Sequence, residues 1–308
     1  MTSPPRLLLA ALVAAPLALL SVPGCDNAAA GSVDDLLTDA RIARQQGRHA
    51  EAVRLLEQAY EAAPENAAVR AELGVSYLDR EEIGLAEINR LARFLTDPPA
   101  DAAPSPSPTT NLGATCPYAD DPHATPFDPT SIEDYIELVG HRDLIEQVLA
   151  ILHEGPGGDV PPVIPEALRA IGLCEGIEDG QLVYDRDGAL AEMRALGLSD
   201  DQITAVLAAN AVARLYDAYF FLTEDVPQQT TWYRVENGET SYIGVCADDE
   251  EALRAQAEEA IRDFGEALAS LDLRAHVLGG DTPSVELVQA VIEAYESIRD
   301  DLGPYCGE

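Results

Sequence analysis

The chain has 308 residues, and its 55 acidic residues outnumber 19 basic ones, all of them arginine, for a formal net charge of −36. Nucleic-acid binding is excluded, because neutralising phosphates takes cationic clusters that this composition lacks, and anionic membrane surfaces are disfavoured. Such acidity fits a high-salt habitat, where screening shortens self-repulsion, or an acidic face for a basic partner or divalent cations.

The first predicted element is a targeting segment. Arg6 precedes the apolar run "LLLAALVAAPLALLSV", which is broken by Pro16 and followed by small residues, the three-part pattern of an export signal. The run is too short for a comfortable span of roughly 20 apolar residues. Its end, "VPGC", resembles the lipobox of bacterial lipoproteins, with Val22 aliphatic, Gly24 small and Cys25 last; Pro23 departs from the usual small or hydroxyl residue. The resemblance implies a signal over residues 1–24, a lipid on Cys25, and an extracytoplasmic body anchored to a membrane of the cell envelope. A rival cleavage after the small residues Ala28 and Ala30 would remove Cys25.

Residues 33–100 carry 13 acidic residues and 8 arginines, whereas residues 131–308 carry 37 and 10, so the two regions differ in kind. The first region repeats with a period of 34: Ala40 falls over Gly74, Ala43 over Tyr77, Ala52 over Ala86 and Pro64 over Pro98. "GRHAEAVRLLEQAYEAAPENA" and "AELGVSYLDR" resemble the tetratricopeptide repeat, a helix–turn–helix of that length. Small residues at Ala40, Gly74, Ala52 and Ala86 are expected to let the two helices of a repeat approach closely, and Pro64 and Pro98 to end the second helices. Asp39, Arg70, Arg90 and Arg93 depart from the apolar or small residues of the pattern. Two repeats seldom bury enough by themselves, so a C-terminal helix or a partner chain is expected to cap the second. The resemblance implies a concave groove that binds a protein segment, lined by the first helix of each repeat. Candidates are Asp34, Leu37, Arg41, Arg44 and Gln45, then Ala68, Ala71, Val75, Leu78 and Asp79; the binding set is Arg41, Arg44, Gln45, Val75 and Asp79. Arg41 and Arg44 are suited to a carboxylate or a peptide C-terminus; solvated arginines on an exposed face are the plainer alternative.

Residues 101–130 form a linker by composition, with Pro104, Pro106 and Pro108 favouring an extended spacer. Its "CPYADDPH" lacks any metal-ligand frame. Residues 131–308 predict an acidic α-helical domain. Thr130 and Glu133 make a capping box before one apolar-periodic run. "HRDLIEQVLAILHEG" places Leu144, Val148, Ile151 and Leu152 on one helical face. "SDDQITAVLAANAVARLYDAYFFLT", capped by Ser199 and Gln202, is the longest and most apolar helix, with Ile203, Val206, Leu207, Leu215, Tyr216 and Tyr219 at helical spacing. Asn237-Gly238 between β-prone runs predicts a hairpin near residues 231–245. Residues 248–271, opening with four acids, and 282–303, with Pro283 in the first turn, complete the helices. "DRDG" at Asp185 to Gly188 lacks the glycine position and closing glutamate of a calcium loop and reads as a hairpin or turn.

The fold class is therefore mainly α: tetratricopeptide-like hairpins, then an α-helical domain with a small β-hairpin. Serine-hydrolase elbows, phosphate loops, dinucleotide fingerprints and CxxC pairs do not occur, and His141 and His153 stand too far apart for one metal, so no catalytic residue, cofactor or metal is expected. The expected partners are a protein in the groove and the membrane through the lipid. An extracytoplasmic hydrolase-like enzyme with accessory repeats, or a solute-binding partner of a transporter, stays as the alternative. Setting Cys25 aside leaves an even number of cysteines, Cys116, Cys174, Cys246 and Cys306, as a disulfide framework in an oxidising compartment requires. Three pairings are open, with Cys116 to Cys174 and Cys246 to Cys306 slightly preferred.

Overall fold

In this computed structural model the described residues are 32–84, 124–126, 140–155, 158, 160–169, 177–178, 181–223, 230–236, 239–246 and 250–279. Three helices come first among the described residues: α1 (Val33–Gln45), α2 (His49–Ala62) and α3 (Ala67–Arg80). Local chemistry sets their ends. Ser32 and Asp35 form a reciprocal capping box at the start of α1, with Asp35 N donating to Ser32 Oγ at 3.2 Å and Ser32 N to Asp35 Oδ2 at 3.0 Å. Gly47 adopts φ 71°, which turns the chain into α2 at no steric cost. The Asn66 side chain accepts from Ala68 N and Val69 N to start α3. Ala40, Ala43 and Ala52 are almost wholly buried, so α1 and α2 pack backbone to backbone as the repeat pattern predicts.

The far side of α3 is closed by the C-terminal region. Helix α4 (Arg142–His153) and helix α7 (Asp200–Thr223) both pack on α3. Gly74 serves this junction, because a Cβ there would lie 3.0 Å from Leu152 Cδ2. Among the described residues its close approach is to α4; the expected second helix of its own repeat lies outside them. Leu152, Ile145 and Val148 turn inward from α4, and a single apolar cluster runs from Leu37 through Leu73 and Leu152 to Leu271. Arg70, which breaks the apolar pattern of the repeat, is fully buried: its Nε donates to Ile151 O at 3.1 Å and its Nη1 to Pro161 O at 3.0 Å. It satisfies a carbonyl in the last turn of α4 that the helix itself leaves open.

Beyond α4 come α5 (Glu166–Arg169), a short antiparallel pair β2 (Ile177–Glu178) and β3 (Gln181–Leu182), and α6 (Arg186–Ala195). The "DRDG" stretch is the start of α6 rather than a hairpin or free turn: Asp185 Oδ1 accepts from Gly188 N at 2.9 Å as an N-cap. Helix α7 and helix α8 (Glu250–Val277) form the centre of the domain. Along α7, Ile203, Val206, Leu207, Ala211, Ala213, Leu215, Tyr216, Ala218 and Phe220 are buried, so the helix is enclosed on most sides rather than amphipathic. Tyr184 and Arg186 tie α6 to α8 through Asp272, with Arg186 Nε at 2.6 Å from Asp272 Oδ2 and Tyr184 Oη donating to it at 2.7 Å. Strand β4 (Thr230–Glu236) pairs antiparallel with β5 (Glu239–Cys246) and with β1 (Ala124–Pro126), in the order β1-β4-β5, with a bulge between Trp232 and Tyr233. No helix among the described residues is long and apolar enough to cross a membrane.

Several expectations fall on residues outside the described ones. These are the export signal and Cys25, the second helix of the second repeat, most of the linker, the capping box at Thr130 and Glu133, the helix at 282–303, and Cys116, Cys174 and Cys306. Cys246 is the last residue of β5.

Candidate functional site

The first helices of the two repeats lie side by side, and residues spaced three or four apart on each share a face. On α1 this places Arg41, Arg44 and Gln45 together; on α3 it places Ala71, Glu72, Val75 and Asp79 together. Between them and the start of α7 opens a cleft of about 380 Å³, whose far wall is Ser199, Asp201, Gln202 and Ala205. Four of the expected binding residues, Arg41, Arg44, Gln45 and Val75, line it. Asp79 stands at its edge, with Arg44 Nε 3.8 Å from its carboxylate. Burial raises the Asp79 carboxyl above its ordinary range, and Arg44 and His49 partly offset this. Leu37 and Leu78, also expected to face the groove, are buried in the core instead.

The two arginines already hold a carboxylate, that of Glu72. Arg41 Nε donates to Glu72 Oε1 at 2.8 Å, and Arg44 Nη1 lies 2.8 Å from Glu72 Oε2. Glu72 is nearly buried, so two guanidinium groups compensate one desolvated charge. Gln202 joins the set from α7. Its Oε1 accepts from Ser199 N at 3.1 Å, closing the cap of α7, and its Nε2 donates to Glu72 Oε1 at 3.3 Å. With Asp79 and Asp201 nearby, the cleft has no surplus positive charge, and a ligand carboxylate has to compete with Glu72. Glu72 was legible from spacing, since it falls three residues before Val75 and seven before Asp79. Gln202 was legible only as a cap; its bond to a residue 130 positions earlier was not.

A second cleft, of about 540 Å³, lies on the other flank of α3 between α2 and α4. Leu73, Ala150 and Ile151 give it an apolar floor, and Glu57, Glu61, Glu154, Tyr60, Tyr77 and Gln147 its polar walls. Gln147 Nε2 donates to Tyr77 Oη at 3.0 Å, and Tyr77 Oη donates onward to Glu57 Oε1 at 3.0 Å. Burial, then the Glu57 carboxylate, pushes the Tyr77 hydroxyl up to about 12, so it keeps its proton and remains a donor.

A buried polar cluster joins α4, α7 and α8. His153 Nε2 lies 2.7 Å from Asn210 Oδ1 and 3.1 Å from Glu266 Oε1, while its Nδ1 faces Arg214 Nη2 at 3.3 Å. A guanidinium can only donate, so Nδ1 accepts and the ring carries its proton on Nε2. Asn210 Nδ2 donates to Glu266 Oε1 at 2.9 Å and to Ser270 Oγ at 3.0 Å. Arg214 reaches Asp263 Oδ1 at 2.7 Å through Nη1 and Glu266 Oε2 at 3.0 Å through Nε. Burial would raise the Glu266 carboxyl, but the His153 hydrogen bond, the Arg214 charge and the Asn210 hydrogen bond outweigh it and leave it below its ordinary range. This cluster is packed between helices and opens onto neither cleft. Among the described residues no group of three or more His, Cys, Asp or Glu is placed to hold a metal ion.

A family model described as tetratricopeptide repeat matches residues 43–87. No curated protein and no solved structure matches the chain. The matched stretch takes in the end of α1, all of α2 and all of α3, which are the helices that carry one wall of each cleft. Residues 43–87 thus carry a tetratricopeptide repeat in the N-terminal region, and the C-terminal helical region is packed against α3, the last described helix of that stretch.

Proposed function

We propose that this protein is a lipid-anchored adaptor outside the cytoplasm that binds a segment of another protein through its repeat unit. The single observation that carries the reading is the composite cleft: Arg41, Arg44, Gln45, Ala71 and Val75 from the repeat face Ser199, Asp201, Gln202 and Ala205 from the start of α7. Tetratricopeptide repeats are protein-interaction modules whose concave faces bind. Here the groove is bounded on its open side by the chain's own α7, so the C-terminal domain both stabilises a short repeat array and shapes what it binds. Glu72 already neutralises the two arginines, which favours a ligand that contacts the wall through neutral polar groups over one led by a carboxylate.

A photo-crosslinking residue at Val75 tests the adaptor, with the same residue at exposed Glu192 on α6 as the control. In native membranes the Val75 probe is expected to trap a discrete protein species that the Glu192 probe does not, and Gln45→Trp, which fills the cleft, is expected to abolish the product. Equal labelling from both positions, or none from Val75, overturns the reading. The anchor is tested separately: Cys25→Ala is expected to shift the protein from the detergent phase to the soluble fraction or to leave an uncleaved precursor. Wild-type protein that is already soluble with an N-terminus at Gly31 refutes lipidation.

A further inference from the structure

The buried cluster between α4, α7 and α8 does no work in the adaptor reading, yet among the described residues its charges do not balance. Asp263 and Glu266, 5% and 2% exposed, share the one guanidinium of Arg214. His153 does not supply the missing positive charge, because its Nδ1 faces an Arg214 N–H and its only ring proton points at Asn210 and Glu266. Two desolvated carboxylates against one cation is a costly state, and a bound proton is the cheapest way out of it. Other groups face Asp263: Asp217 from α7 and Glu259 from α8, both acidic, so neither lowers the cost.

We propose that Asp263, Arg214, Glu266 and His153 form a proton-operated latch on the last turn of α4, closed while the cluster holds one extra proton on Asp263 and loosened when that proton leaves. His153 is the last residue of α4 and is bound into α7 and α8; Ile151, two residues before it, is held by Arg70 of the repeat; Leu152 between them packs against Gly74. One helical turn is thus gripped by both parts of the molecule. Burial is the main cause that pushes the Asp263 carboxyl up to about 8; Arg214 opposes it and Asp217, Glu266 and Glu259 add to it. Loss of the proton leaves a second buried anion to compete with Glu266 for Arg214, and through Glu266 it weakens the hold on His153. Ile151, Glu154 and Gly155 line the second cleft, so opening the latch reshapes that cleft. Neither the latch nor this consequence rests on the adaptor reading, whose cleft lies on the other flank of α3.

The test is amide hydrogen exchange in the full chain, corrected for the intrinsic pH dependence of exchange and compared at about pH 6 and about pH 9.5, either side of the titration. Protection of residues 150–154 is expected to fall about tenfold or more relative to α2 across that interval. Asp263→Asn, an uncharged isostere of the protonated acid, is expected to keep the high protection at both pH values. A wild type whose α4 protection tracks that of α2, or an Asp263→Asn protein that retains the pH step, overturns the latch. A carboxyl-carbon NMR titration of Asp263 in the wild type guards against a variant that fails to fold: a midpoint in the ordinary carboxylate range also overturns it. No partner is needed for either readout, so failure of the latch and failure of the adaptor are told apart.

Discussion

Arg70 illustrates how one side chain can hold two regions of a protein together. Its guanidinium is wholly buried and donates to Ile151 O and Pro161 O, 81 and 91 residues further along the chain. Burial lowers its pKa below the usual arginine value; a guanidinium in a protein nonetheless keeps its charge. Arg70→Met restores the apolar residue that the repeat pattern predicts but strands the buried Ile151 carbonyl and removes the donor to the part-buried Pro161 carbonyl. The expected loss is about 1–3 kcal/mol, the cost of one buried unsatisfied acceptor. It is read as a lower urea midpoint with an unchanged slope. Arg70→Lys is expected to recover less than half of that, because one ammonium on a flexible stem does not replace a fork that spans two carbonyls. The sequence marked Arg70 as a departure from its family pattern, but its acceptors are backbone atoms of a distant helix, and no residue type encodes them.

Among the elements, α3 has the most to satisfy, because its faces meet α2, α4, α7 and α1. Its periodicity and its small Gly74 were legible in residue order. That Gly74 makes room for Leu152 was not, because Leu152 arrives from outside the repeat. Gly74→Val is expected to force α4 outward and to cost about 1–3 kcal/mol by overpacking. Leu152→Ala in the same background is expected to recover part of the loss, and a double-mutant cycle on thermal unfolding checks the coupling. Spacing on α1 and α3 also placed Arg41, Arg44, Gln45 and Val75 on one cleft wall; it missed the opposite wall because α7 reads in sequence as a buried core helix. The start of α6 was misread for a different reason. Asp185 and Gly188 are turn formers by type, and only the hydrogen bond from Gly188 N shows that the turn continues as a helix.

Among the described residues, Asp263 and Glu266 are buried carboxylates whose contributions to stability depend on pH with opposite signs. Asp263 has a folded-state pKa of about 8, above its unfolded value, so its contribution is fully present in acid and is lost as pH rises through that value. Glu266 has a lowered folded-state pKa, so its contribution is present above the ordinary carboxylate range and is lost as pH falls through the folded value. Stability is expected to be greatest in mildly acidic solution and to decline from there toward about pH 8. Asp263→Asn is expected to flatten the decline between mildly acidic solution and about pH 8 while leaving the acid limb, and Glu266→Gln to weaken the protein throughout. Thermal midpoints measured across the pH range check both.

The single apolar cluster that runs from α1 to α8 has a consequence for how the chain can be cut. The Pro-rich stretch near residues 101–123 separates two regions of unlike charge in sequence, yet the helices on either side of it share one interior. A protease that cleaves there severs the covalent thread and leaves the interior intact. The nicked protein is expected to elute from a sizing column as one species and to part into two fragments only in denaturant. Residues 33–100 made alone are expected to be poorly folded, and to regain helix when mixed with residues 131–308. Fragments that separate in native buffer would show that the shared interior contributes little. If they stay together, the chain behaves as a self-complementing pair, in which the linker serves to keep the two halves at high mutual concentration rather than to hold them apart.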